Sequence, residues 1–100
     1  MKSIIQDESK GQCFLCVMLN SDTSRKYTEK HHIFFGSANR KLSEKYGLTV
    51  RLCVKHHREG PEAVHSNAEI RDKLCQIGQR AFEKRYPDKD FREIFGKNYL

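Results

Sequence analysis

The sequence contains no tryptophan, two prolines and no apolar run that approaches the length of a membrane span. A helix needs about 20 consecutive apolar residues to cross a bilayer, so no spanning helix is expected. The opening stretch MKSIIQDESK holds one pair of adjacent apolar residues, Ile4 and Ile5, before it turns charged. It lacks the apolar core of a secretory signal, and a cytoplasmic location is the expectation. There is no internal repeat, no low-complexity tract and no Pro/Gly-rich linker, which makes residues 1–100 a single domain.

What is scarce also limits the core. Hydrophobic residues make up 37% of 100 positions, and a chain of this size buries only a marginal apolar core. Small scaffolds offset that shortfall with disulfides or a bound metal. Cys13, Cys16, Cys53 and Cys75 could supply either. In a reducing compartment, closely spaced cysteines are metal ligands more often than disulfides.

Charge is what the chain has in abundance. With 19 Lys+Arg against 13 Asp+Glu, the formal net charge is +6. That balance suits a polyanionic partner, although it equally suits a merely well-solvated basic surface.

The pattern of residues divides the chain into an α+β order. Residues 1–11 read as a polar lead-in with a short helical turn at Ile4 and Ile5. Cys13-Phe14-Leu15-Cys16 reads as a tight knuckle, and Asn20 to Ser24 has turn chemistry. Tyr27 to Phe34 has the β-branched and aromatic content of a strand, and Gly36 breaks it. Ser37 can cap a helix over Ala38 to Tyr46, with Ala38, Leu42 and Tyr46 on one face and Gly47 ending it. Leu48 to Cys53 alternates as a second strand. After the Gly60-Pro61 loop, Ser66 and Glu69 fit a capping box for a helix to about Arg85, stopped by Pro87. Its apolar face carries Ile70, Leu74, Ile77 and Ala81. Asp88 or Asp90 starts a last helix burying Phe91, Ile94 and Phe95, ended by Gly96.

Two paired spacings carry chemistry. Cys13 and Cys16 stand as C-x2-C, and Cys53 and His56 as C-x2-H. Two intervening residues let both side chains of a pair converge on one ion, and thiolates with a neutral imidazole are ligands that Zn²⁺ prefers. The four form a candidate structural zinc site, with the first strand and short helix enclosed between the pairs. Cys75 has no partner at metal spacing and is assigned to the core. His31, His32, His57 and His65 remain, and these lie at element boundaries that such a zinc site would draw together.

The succession of C-x2-C, HHI at a strand end and L-C-x2-H-H resembles the HNH endonucleases of the ββα-metal superfamily. HHIFFGSANRKLSEKYGL, RLCVKHHREG and VHSN are similar in particular to the RecA-dependent recombination-enhancement nucleases of phages. The resemblance covers about residues 13–66, and the tail IGQRAFEKRY…FREIFGKNYL shares the look of that subgroup. It implies a zinc-stapled ββα-metal (His-Me finger) core with flanking helices, and a metal-dependent DNA endonuclease of phage or prophage recombination. It implies that His31, His57 and His65 hold a catalytic divalent ion and that His32 is the general base. It also implies DNA and a RecA-type recombinase filament as partners. Mg²⁺ or Mn²⁺ is the expected ion, with Zn²⁺ or Ni²⁺ also compatible with imidazole ligands. Lys30, Arg40, Lys41, Lys45, Arg51, Lys55 and Arg58 surround these motifs and are candidates for phosphate contact.

The sequence departs from the family pattern in three places. His56 replaces the usual fourth Cys. His65 follows His57 by eight residues, with Gly60-Pro61 between them, where four on one helix is usual. Tyr46-Gly47-Leu48 stands where the motif Asn belongs, and Asn39 is not at the matching position; the short helix is expected to brace the strand connection instead. Two other readings remain open: a non-catalytic zinc module that binds nucleic acid or protein, and a C-x2-C redox protein, which the lack of a βαβ context disfavours.

Overall fold

A computed structural model describes all residues 1–100. The fold is α+β. Helix α1 (Phe14–Asn20) leads to strand β1 (Glu29–His32), helix α2 (Ser37–Tyr46) and strand β2 (Thr49–Leu52). A π-helical turn over Lys55–Glu59 follows, then the long helix α3 (Ala68–Arg85) and the short helix α4 (Phe91–Phe95). No helix is long and apolar enough to cross a membrane.

The two strands pair antiparallel, with His31 opposite Val50 and His32 opposite Thr49. Side chains alternate along a strand, which divides the EKHH segment. Glu29 and His31 share one face, Lys30 and His32 the other. The ladder continues through Ile33 N–H to Leu48 C=O (3.1 Å) and then stops. At Phe34 both backbone groups are taken by Ser43 of α2, whose hydroxyl accepts from Phe34 N–H (3.1 Å) and donates to Phe34 C=O (2.7 Å). β1 is therefore shorter than the Tyr27–Phe34 strand expected. Ser43 is the side chain that fastens the β1–α2 connection, in agreement with a bracing role for the short helix.

Several boundaries differ from the sequence expectation. The helical turn of the lead-in lies at Glu8–Lys10, where Asp7 caps it by accepting from Ser9 N–H, while Ile4 and Ile5 form a bend in which the Ser3 hydroxyl accepts from Ile5 and Gln6 N–H. The knuckle is the start of α1, with Cys13 at the N-cap and its sulfur accepting from Cys16 N–H. Ser37 does not cap α2; Gly36 holds that place at φ 95°, and Ser37 is already helical. On α2, Ala38 is exposed, and the buried positions are Ser43 and Tyr46. The α3 cap is Asn67, not Ser66: the Asn67 side chain accepts from Ile70 N–H (3.1 Å) and donates to Pro61 C=O (3.2 Å). Glu69 then falls one position short of the capping-box place. For α4 the cap is Asp90.

One core of 16 buried residues runs from Cys13, Leu15 and Cys16 through Val50 and Leu52 to Phe82, Phe91 and Phe95. Cys75 belongs to it, and burial pushes its thiol up to about 11. α3 rests directly on the segment after β1. A Cβ at Gly78 would come within 3.0 Å of Ile33 and Phe34 side-chain carbons, so glycine permits this close approach. The segment that follows the histidine doublet is thereby held against α3.

Candidate functional site: two metal-ligand clusters

Cys13, Cys16, Cys53 and His56 converge. His56 Nδ1 lies 3.6, 3.3 and 3.5 Å from the sulfurs of Cys13, Cys16 and Cys53, and Cys16 Sγ lies 3.7 Å from Cys53 Sγ. A tetrahedral Zn²⁺ with ordinary bond lengths sets its ligands about 3.8 Å apart for two sulfurs and about 3.6 Å for sulfur and nitrogen. The spacing fits, and this Cys3His group could hold a zinc ion. Burial, together with Cys13, pushes the Cys16 thiol up to about 12 in the absence of an ion, so metal binding is what makes this sulfur a thiolate. Lys26 Nζ stands 3.3 Å from Cys16 Sγ and 2.8 Å from Asp22. Three thiolates around one Zn²⁺ would leave a net negative charge, which this ammonium would offset.

The second cluster is His31, His57 and His65, whose candidate ligand atoms all lie within 4.8 Å of one another. His31 comes from β1 and is 3% exposed. His57 comes from the π-helical turn. His65 reaches the site because the chain folds back: Val64 N–H donates to His56 C=O (2.8 Å) and His65 N–H to His57 C=O (3.3 Å). The eight-residue spacing is thus closed by a turn. Gly60 is needed in that turn, since a Cβ there would lie 2.7 Å from the Lys55 carbonyl oxygen.

The nitrogens of this cluster are short of partners. His31 Nε2 is buried with none, and such atoms are uncommon in native proteins. His57 Nε2 and His65 Nε2 face each other at 3.1 Å. Glu29 stands behind His57, its carboxylate 2.8 Å from Nδ1 and 3.0 Å from Arg58 at two points. Arg58 foremost, with His57, holds the Glu29 carboxyl at about 2. A carboxylate at Nδ1 fixes the proton there and leaves the Nε2 lone pair free for an ion. Burial, with the neighbouring histidines, lowers His31 to about 3 and lowers His65 as well. Both are neutral at pH 7, and an ion bound there displaces no proton from them. Replacing Glu29 by alanine is expected to weaken the cluster's affinity for Mn²⁺ about 10- to 100-fold, measured by titration calorimetry on zinc-loaded protein. Unchanged affinity would deny Glu29 this orienting role.

These histidines line a cleft of about 260 Å³ with Lys30, His32, Phe35 and Arg40. His32 Nε2 lies 3.1 Å from Glu44 Oε1, which also receives Lys30 Nζ at 2.9 Å. Lys30, then His32, holds the Glu44 carboxyl at about 2. Of the candidate phosphate contacts, Lys30, Arg51 and Arg58 are engaged within the chain. Arg51 donates to the Thr28 hydroxyl (3.1 Å) and carbonyl (2.7 Å) and straps β2 to the segment that enters β1. Lys45 sits over the Tyr46 ring at 5.3 Å, and Lys55 is exposed. Arg40 and Lys41 line a second opening beside His32.

Sequence reasoning missed Glu29, Glu44, Ser43 and Lys26. Glu29 and Glu44 carry a weak signal: Glu29 shares strand parity with His31, and Glu44 lies on α2 across from His32. In comparisons with known proteins, no family model, curated protein or solved structure matches this chain.

Proposed function

We propose that the chain is a metal-dependent DNA endonuclease of HNH type, built on a ββα-metal core and acting in phage or prophage recombination or DNA processing. The observation that carries this reading is the convergence of His31, His57 and His65 in a cleft that also presents His32 and Arg40. A zinc module that only binds has no use for a second, histidine-only ligand cluster. His31 comes from β1, His57 from the π-helical turn after β2 and His65 from the segment that folds back on it, the same chain order as in the HNH resemblance.

His31, His57 and His65 would hold a divalent ion, which when bound supplies Lewis-acid stabilisation of charge at the phosphate and the leaving oxygen. His32 takes the proton of the attacking water. With Nε2–H donated to Glu44, Nδ1 is the accepting nitrogen, and the carboxylate steadies the imidazolium that forms, as in other carboxylate–histidine pairs. Arg40 and Lys41 attract and position the DNA backbone.

The test is incubation of zinc-loaded protein with supercoiled plasmid, with and without Mg²⁺, Mn²⁺, Ni²⁺ or added Zn²⁺. Metal-dependent nicking or degradation is the expected result. Cleavage that requires a recombinase filament would strengthen the likeness to the recombination-enhancement subgroup. No cleavage under any of these conditions, with zinc at full occupancy, would reduce the chain to a zinc module.

A further inference from the structure

Two phenylalanines follow the histidine doublet, and their surroundings differ sharply. Phe34 is 2% exposed and packs against Phe91, Phe95 and Tyr99 at ring distances of 5.1, 4.9 and 5.3 Å. Phe35 is 46% exposed. Its ring centroid lies 6.3 Å from that of His31 and 6.1 Å from that of His65. A large apolar ring is thus left in water at the side of the histidine cluster.

Phe35 also separates two clefts. On one side is the histidine cleft; on the other is a neighbouring cleft of about 240 Å³. The second is walled by Phe34 and Tyr99, with Arg71, Asp72 and Lys97 supplying its charged groups. Ligand pockets for drug-sized molecules run to about 300–1,000 Å³, so this one suits a single ring system. Arg71 and Lys97, on a chain of net charge +6, favour a ring carried on an anionic polymer over an apolar side chain of a protein.

We propose that this second cleft is a nucleobase subsite, with Phe35 stacking on the base of a nucleotide whose phosphate lies at the histidine cluster. A nucleotide has this layout, its phosphate and its base separated by one sugar. The base must be unstacked from its neighbours to present a face to the ring. The inference rests on the nuclease reading for where the phosphate lies, and it adds which part of the substrate is gripped beside it.

Binding tests it without cleavage. Zinc-loaded protein with no added divalent ion is titrated by fluorescence anisotropy with oligothymidylate and with an abasic chain of equal length. The wild type is expected to bind oligothymidylate about 5- to 150-fold more tightly, the range expected for one base stacked on an aromatic ring. Phe35→Ala removes the preference and leaves affinity for the abasic chain unchanged; Phe35→Tyr keeps the preference. A preference intact in Phe35→Ala overturns the subsite. So does an equal loss on both chains, or a wild type indifferent to bases. The plasmid assay judges the nuclease reading separately, so a protein that prefers bases through Phe35 but cuts nothing retains the subsite and loses the activity.

Discussion

His32→Ala protein, fully loaded with zinc, is expected to cut DNA about 10²- to 10⁴-fold more slowly than the wild type, the usual contribution of a positioned general base. The size of the effect follows from where His32 sits. Its backbone is fixed in β1 opposite Thr49, and its ring is fixed by Glu44 at 3.1 Å. It shares a cleft with the histidine cluster, yet it is on the other strand face from His31 and takes no part in the ligand set. Its loss should therefore remove proton transfer and leave ion binding intact. Three readouts separate that role from a structural one. Zinc content and melting temperature should match the wild type, Mn²⁺ affinity should hold, and the single-turnover rate alone should fall. Glu44→Gln should give an intermediate rate, because the amide oxygen can still accept from Nε2–H while the supporting charge is gone. An undiminished rate in His32→Ala would remove the general-base assignment.

Stripping zinc, or replacing Cys16 by serine, is expected to abolish the cooperative fold. Structural zinc in small domains contributes about 10–16 kcal/mol, against a typical net stability of about 5–15 kcal/mol for a whole domain. This chain has little to set against the loss. The Cys3His group joins the start of α1 to the end of β2, and without it Leu15, Leu52 and their neighbours lose the clamp that holds the two segments in one core. Circular dichroism during titration with a strong chelator should show helix content falling in step with zinc released. Readded zinc should restore it. A chelated protein that still melts cooperatively within a few degrees of the holo form would show that the apolar core suffices.

The parts of the molecule that follow from short-range pattern were legible in the sequence. The C-x2-C and C-x2-H spacings encode their convergence directly, because two residues per pair fix the local geometry wherever the chain goes between them. Strand parity separated His31 from His32. Cap choice was less legible: Ser66 and Asn67 both satisfy the local chemistry of an N-cap, and the Asn67 contact with Pro61 decides between them. Ser37 failed for a similar reason, since glycine is itself an accepted N-cap residue and Gly36 takes that place at φ 95°. The carboxylates behind the histidines were hidden because they are contacts at long sequence separation. Glu29 meets His57 across 28 residues and Glu44 meets His32 across 12. The seven basic residues looked alike as letters; only their neighbours distinguish Arg51, strapped to Thr28, from Arg40, open to the cleft.

His56 and His57 are adjacent, yet one belongs to the Cys3His group and the other to the histidine cluster. A single peptide link therefore couples the two centres mechanically. His57 is fastened from both directions, by the knuckle through His56 and by Glu29 at Nδ1. His65 lies exposed on the returning turn, tied by its backbone to the His57 carbonyl and preceded by the fully buried Val64. The two clusters thus share one stretch of backbone, and the position of His57 depends on both. A disturbance at the Cys3His group should therefore reach the histidine cleft through that one bond, shifting His57 before any other ligand of the cluster.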